Sequence, residues 1–302
     1  MPGKRETTDP GPSSLAVLGS PIAHSKSPEI HVAAYRVLGL PWSYEAIECG
    51  EAELEGLLAG LGPEWRGLSL TMPLKDEARR LAVVVDPVAE ESGVVNTLLR
   101  LAGDAGWAGF NTDVGGLAAA IGEAGLDATS TIVLGSGATA VSSILAARRL
   151  GARHVEVVAR NPEAVRDLVT RFDGSREPGS SEALHVSGTV LPHVEPIAPE
   201  SGGIDPRHGA PTLVISSLPG PAGRDLELPE SLTRIPLFDV AYDPWPSPLA
   251  ERWRAASGEA HAGIGMLVQQ ALLQIRIFTA GDPGIPLERE DEVVAAARAA
   301  TG

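Results

Sequence analysis

Lysine is scarce in this chain, and its positions are informative. The 302 residues contain three lysines, Lys4, Lys26 and Lys75, and arginine supplies nearly all the remaining positive charge. Arginine keeps its proton near neutral pH, whereas lysine can release one. A chain that uses Arg at almost every other cationic position can keep Lys where a proton must move. Lys26 lies in Ser20-Pro21-Ile22-Ala23-His24-Ser25-Lys26-Ser27-Pro28, and Lys75 closes Leu70-Thr71-Met72-Pro73-Leu74-Lys75. Ser25 and Ser27, two apart just before a helix start, can aim hydroxyls and nearby backbone N–H groups at one anion such as a carboxylate. The plainer alternative is that Ser27 caps the helix. A third cluster joins Asn96-Thr97 to Gly109-Phe110-Asn111-Thr112-Asp113. Lys75 and Asp113 are far apart in sequence, yet both fall at strand ends of one expected sheet. On a surface such a pair is worth little. In a cleft it is a proton donor beside a carboxylate that anchors hydroxyls. His24 and His31 read as structural.

A second kind of chemistry stands in the middle of the chain. After the apolar run 131–134 comes Gly135-Ser136-Gly137-Ala138-Thr139-Ala140, a G-x-G-x-x-(G/A) pattern between a strand and a helix. In that context Gly135 permits the tight turn and Gly137 lets a pyrophosphate approach the backbone. Ala140 lets the helix pack on the strand, and the helix N-terminus attracts phosphate. The next strand ends in Val158-Ala159-Arg160-Asn161 with no carboxylate for a ribose 2′-hydroxyl. Arg160 can instead pair with a 2′-phosphate, which favours NADP over NAD.

The surrounding pattern supplies elements to position these groups. Strands are expected at 15–18, 44–47, 68–71, 95–99 and 107–110, the last two paired around Gly103-Asp104, with helices at 28–38 and 52–59. A third helix is expected only as a stretch through Arg79 and Arg80, with no start assigned. This alternation predicts an open, mostly parallel α/β sheet. A helix at 114–124 leads to a second α/β unit with a strand at 131–134, a helix at 138–150 and strands at 154–158, 213–215 and 237–240. Helices near 266–278 and 287–300 follow. Residues 173–210, rich in Gly, Ser, Pro and His, read mostly as loop. The expected domains are 15–113 with about 263–302, for substrate, and a Rossmann-type unit over 114–262, for the dinucleotide, joined so that a cleft closes on both ligands.

Composition narrows the classes. A hydrophobic fraction of 43% suffices for packed cores, and 4% aromatic content means they are built from Ala, Val, Leu and Ile. No apolar run approaches the ~20 residues that span a bilayer. The net charge of −15 argues against nucleic acid and anionic membranes as partners. A lone Cys49 fits a reducing, cytoplasmic compartment and reads as inert. Residues 1–14 read as a disordered tail without a signal peptide, and no metal site is expected.

Taken in order, these motifs resemble the shikimate dehydrogenase family, with its S-x-S loop, N-V-T-x-P-x-K strand end, V-N-T and N-T-D-x-x-G. Asp239-Val240-Ala241-Tyr242-Asp243-Pro244 resembles its D-x-x-Y-x-P. Gly263-Ile264-Gly265-Met266-Leu267-Val268-Gln269-Gln270 resembles its G-x-x-M-L-x-x-Q. The resemblance runs from about residue 16 to 278. It implies an NADP-dependent oxidoreductase of aromatic amino acid (chorismate) biosynthesis, interconverting 3-dehydroshikimate and shikimate as a monomer or homodimer. Alternatives are a quinate/shikimate paralogue using NAD or NADP, and a non-catalytic NADP-binding regulator. Lys75 and Asp113 are then the implied catalytic pair. Ser25, Ser27 and Tyr242 hold the substrate carboxylate, and Thr71, Asn96 and Gln270 its ring hydroxyls. Gly135, Gly137, Ala138, Thr139, Ala140, Arg160, Ser217 and Gly263 face the cofactor. Ser69 departs from the family's usual Asn, a change expected to lie outside the reacting set. Ala159 replaces the Asn of its usual N-R-T.

Overall fold

The structure is a computed structural model that describes residues 11–191, 210–224, 226 and 228–302. The chain divides into two compact units, Met1–Thr112 with Ala271–Gly302, and Asp113–Gln270.

The first unit contains β1 (Ser13–Gly19), α1 (Ser27–Leu38), β2 (Trp42–Glu48), α2 (Leu54–Gly60), β3 (Trp65–Leu70), α3 (Lys75–Leu81), β4 (Val84–Val85), α4 (Pro87–Ser92), β5 (Thr97–Arg100) and β6 (Trp107–Phe110). Its sheet runs β2-β1-β3-β5-β6-β4. Only β5 runs against its neighbours β3 and β6; the other pairs are parallel. Both faces of β1 are covered, which is why it reads as one apolar run. Leu15 and Val17 join the cluster with Ala34, Tyr35 and Phe278. Ala16 and Leu18 join the opposite one with Leu54, Leu68, Leu74 and Leu98. Each fully buried Leu or Val among these contributes about 1.5–3 kcal/mol. Ser13 and Ser14 pair with Trp42 and Ser43, so the expected disordered stretch is corrected there. Residues 1–10 of that expected tail lie outside the described residues.

The second unit holds α5 (Asp113–Glu123), β7 (Ser130–Leu134), α6 (Ala138–Arg149), β8 (His154–Ala159), α7 (Pro162–Phe172), β9 (His185–Val190), β10 (Leu213–Ser216), β11 (Leu237–Asp239), α8 (Pro248–Ala255) and β12 (Ala260–Ala262). Its strand order, β9-β8-β7-β10-β11-β12, is parallel throughout. Counted from β7, this is the 3-2-1-4-5-6 order of the doubly wound dinucleotide fold. Within 173–210, expected to be mostly loop, residues 185–190 form β9, which pairs with β8 along its length. Apart from the buried Val186, its residues alternate half-buried and exposed positions and include Gly188, so no local apolar run announces it. Residues 192–209 of that expected loop lie outside the described residues.

The chain returns to the first unit within α9 (Ile264–Ala280), before α10 (Glu290–Ala300) closes it. The sequence reading expected that return near 263. Met266 of α9 packs with Leu117 and Ile121 of α5, whereas Leu272, Ile275 and Phe278 belong to the core with Leu15. One continuous helix serves two cores.

Candidate active site

β1, β3 and β6 run in one direction, so their C-terminal ends and the N-terminal end of β5 share a sheet edge. Open α/β sheets bind ligands at such ends. Residues 20–27 leave β1 there, Thr71 to Lys75 leave β3, and Asn96 enters β5. Asn111-Thr112 leave β6 and deliver the chain to Asp113, the first residue of the second unit. Backbone bonds lace this edge: Ser20 N–H donates to Met72 O (3.0 Å), Leu70 N–H to Asn96 O (2.7 Å), Asn96 N–H to Phe110 O (3.0 Å) and Val95 N–H to Lys75 O (3.0 Å).

Lys75, half-buried, opens α3, and Asp113, buried, opens α5. Lys26 is otherwise engaged, its ammonium donating to the Thr301 carbonyl at 3.4 Å. Ser27 does not cap α1, because the N-cap position is Lys26 and no side-chain cap bond is made. Ser25 Oγ instead accepts from Ser27 N–H at 3.3 Å. Glu48, which the sequence reading missed, ties the loop down. It accepts from Ser20 Oγ (2.6 Å) and Ile22 N–H (3.1 Å).

Asn96 is almost fully enclosed. Its Oδ1 accepts from Thr112 N–H and Thr97 Oγ1, both at 2.9 Å, and its Nδ2 donates to Thr112 Oγ1 at 2.9 Å. Behind Thr97 lies a buried polar layer of His31, Tyr35, Tyr44, Ser69 and Gln274. Ser69, the departure expected to lie outside the reacting set, is a member of this layer. Gln274 stands one helical turn beyond Gln270 on α9, a spacing that marks the same helix face.

His31 is fully buried in this layer. Burial lowers its pKa from 6.5 to about 3, against the raising effect of its hydrogen bond with Gln274. The unfolded chain therefore takes up a proton near pH 6.5 that the folded chain refuses until about pH 3. This contribution is complete above pH 6.5 and is lost as the pH falls towards 3, by up to about 1.4 kcal/mol per pH unit. Urea midpoints measured across that window are expected to fall less steeply with acid in His31→Gln than in the parent.

In the second unit Gly135 follows β7 at φ +118°, and an added Cβ would stand 2.3 Å from Ser217 Oγ. Only glycine suits both demands. Ser217 follows β10, and β7 and β10 flank the point where the strand order reverses, the usual dinucleotide crevice. Gly137 is the N-cap of α6 and offers no side chain to the first-turn amides, and that turn has no acidic residue. A phosphate fits this helix end, near Ala138 and Thr139, with half-buried side chains, and the fully buried Ala140. Arg160 is exposed immediately after β8. Asn161 Oδ1 accepts from the N–H groups of Glu163 and Ala164 as the α7 cap, leaving Arg160 as the long polar side chain at that tip. The residues present fit a 2′-phosphorylated dinucleotide.

Tyr242, half-buried, lies on the segment leaving β11. Asp239 braces that segment, accepting from Ser247 Oγ (2.5 Å) and Ala241 N–H (3.2 Å). Burial raises its pKa. The sequence motif contained Asp239 but did not reveal this role. Gly263 N–H donates to Ala241 O at 3.0 Å, and an added Cβ there would lie 2.0 Å from Val240 O. Gln270 is buried on α9 and its Nε2 donates to Leu267 O at 3.0 Å, whereas the adjacent Gln269 is bound to Glu123 at 2.7 Å.

Known proteins similar to this chain identify its family. A family model described as the shikimate dehydrogenase substrate binding domain matches residues 17–98. A shikimate dehydrogenase (NADP(+)) of Rubrobacter xylanophilus is 31% identical over 279 residues, which are 90% of this chain and 93% of that one. The chain belongs to the shikimate dehydrogenase family. The crystal structure of Mycobacterium tuberculosis shikimate dehydrogenase is 37% identical, with a TM-score of 0.77 over 95% of this chain and 100% of the other. That of Thermus thermophilus shikimate 5-dehydrogenase, in complex with NADP(H) and shikimate, is 29% identical, with a TM-score of 0.74 over 95% and 99%. Among the described residues no helix is long and apolar enough to cross a membrane, and no group of three or more His, Cys, Asp or Glu could hold a metal ion.

Proposed function

We propose that this family member is an NADP-dependent shikimate dehydrogenase, reversibly reducing the ketone of 3-dehydroshikimate. The observation that carries this is one sheet edge that presents the Ser25/Ser27 loop, Thr71, Lys75 and Asn96 and hands the chain on to Asp113. NADPH, when bound at the α6 N-terminus and Arg160, supplies the hydride. Lys75 stabilises the growing alkoxide and gives it a proton; in the oxidation, neutral Lys75 takes the proton back. Asp113 accepts a hydrogen bond from the adjoining ring hydroxyl and keeps the lysine ammonium oriented. Ser25, Ser27 and Tyr242 hold the substrate carboxylate. Thr71, Asn96 and Gln270 hold ring hydroxyls, and Gly263 approaches the nicotinamide end of the cofactor. The enzyme works in the cytoplasm, as a monomer or homodimer.

The direct test is absorbance at the nicotinamide band with shikimate or quinate and NADP+ or NAD+. Turnover with shikimate and NADP+ is expected to dominate; turnover confined to quinate and NAD+ would overturn the reading. Arg160→Ala is expected to raise KM for NADP+ roughly ten- to a hundredfold, the value of one charge-assisted phosphate contact, with KM for NAD+ nearly unchanged. An unchanged cofactor preference would remove Arg160 from the site.

A further inference from the structure

We infer that Gln274 is a positioning residue: through Thr97 it fixes the side-chain amide of Asn96 in the orientation that meets the substrate. The inference rests on the proposed role of Asn96 as a ring-hydroxyl ligand.

The argument follows donors and acceptors from the core outward. Tyr35 Oη lies 3.1 Å from His31 Nδ1, and His31 Nε2 lies 3.2 Å from Gln274 Oε1. Ser69 Oγ, which accepts from Tyr44 Oη at 2.6 Å, donates to that same Oε1 at 2.8 Å. An amide oxygen only accepts, so the His31 proton sits on Nε2 and Tyr35 donates to Nδ1. His31 also stacks on Tyr44, with centroids 4.0 Å apart and planes 10° apart, which holds the plane of the ring. With Oε1 held by two donors, the nitrogen end of Gln274 faces Thr97 and donates to its Oγ1 at 3.1 Å. Thr97 Oγ1, having accepted, has its own proton to give, and it donates to Asn96 Oδ1 at 2.9 Å. Thr112 N–H donates to the same oxygen at 2.9 Å. Two donors on Oδ1 set which end of the Asn96 amide is oxygen and which is NH2.

Gln274, His31 and Thr97 are buried to 1% exposure or less. A polar side chain so placed is retained only when satisfied, and a satisfied chain of this kind polarises along its length. Were Gln274 reversed, its NH2 would face the Ser69 and His31 donors, and Thr97 would be driven to give its proton to Gln274 instead of Asn96.

A double-mutant cycle with steady-state kinetics tests this. Gln274→Met preserves length and volume and is expected to raise KM for shikimate about tenfold, the value of one well-made hydrogen bond. KM for NADP+ is expected to stay within about twofold of the parent. In an Asn96→Ala background, which by itself raises KM for shikimate, the Gln274→Met effect is expected to vanish. If it persists at full size there, Gln274 acts by another route and the inference fails while the role of Asn96 stands. If Asn96→Ala leaves KM for shikimate unchanged, the ligand role of Asn96 falls and the inference with it. Thr97→Val removes the linking hydroxyl at nearly constant shape and is expected to raise the same KM. It decides the matter if Gln274→Met does not fold, and an unchanged KM in Thr97→Val overturns the inference.

Discussion

Lys75→Ala is expected to lower kcat by ~10²–10⁴-fold, the usual value of a positioned general acid, in both directions of the proposed reaction. The position supports so large an effect. Lys75 opens α3 a few residues past the end of β3, its carbonyl accepts from Val95 N–H, and the next turn of α3 is anchored by the buried Ala78. These contacts fix the backbone that carries the ammonium, the kind of positioning a general acid needs. Lys75→Arg separates charge from proton transfer. The guanidinium preserves the positive charge but does not release its proton near neutral pH, so KM for shikimate is expected to stay close to the parent while kcat remains low. Near-normal kcat in Lys75→Ala would remove Lys75 from the chemistry.

Gly263→Ala is expected to produce the second large effect, through backbone geometry. A Cβ at this position would stand 2.0 Å from the Val240 carbonyl oxygen and 2.7 Å from its Cα, both main-chain atoms in the segment between β11 and Tyr242. Main chain tied into a parallel sheet cannot swing aside as a long side chain does, so the β11 exit and the start of α9 must separate. Overpacking of this kind costs about 1–3 kcal/mol. In a protein of this size that lowers Tm by roughly 2–4 °C for each kcal/mol. Because the displaced segment carries Tyr242, KM for shikimate is expected to rise as well. Gly265→Ala is the matched control. Its added Cβ would meet the Ala120 Cβ at 3.6 Å, an ordinary contact, and it lies inside α9 where Ala favours the helix. Equal losses in the two variants, by thermal melts and kinetics, would refute the steric account. Gly263 thus has a structural reason to be glycine apart from any approach to a cofactor.

Much of the arrangement was legible in the residues because the relevant rules are local. The run 131–134, the glycine loop and the following helix announce a strand-turn-helix unit, since apolar periodicity and positive φ are properties of short segments. The same holds for the strands ending at Gly19, Leu70 and Phe110, whose exits carry the Ser25/Ser27 loop, Lys75 and Asp113. The order of the motifs brought the family within reach of the sequence alone.

Other features were settled only by tertiary contacts. β9 is a strand because β8 offers it a hydrogen-bonding edge; its own residues alternate weakly and include a glycine. Ser69, Gln274 and His31 form one layer because β3, α9 and α1 meet in the first unit's core, and nothing in a lone serine, glutamine or histidine reveals which of the others it will bind. Asp239 and Glu48 have the same character, each a carboxylate whose role depends on which loop folds onto it. Periodicity and turn chemistry are written along the chain, so the sequence determined the elements and the residues at their ends. The partner of a buried polar group lies across the fold, so only the tertiary structure decided how those residues are held.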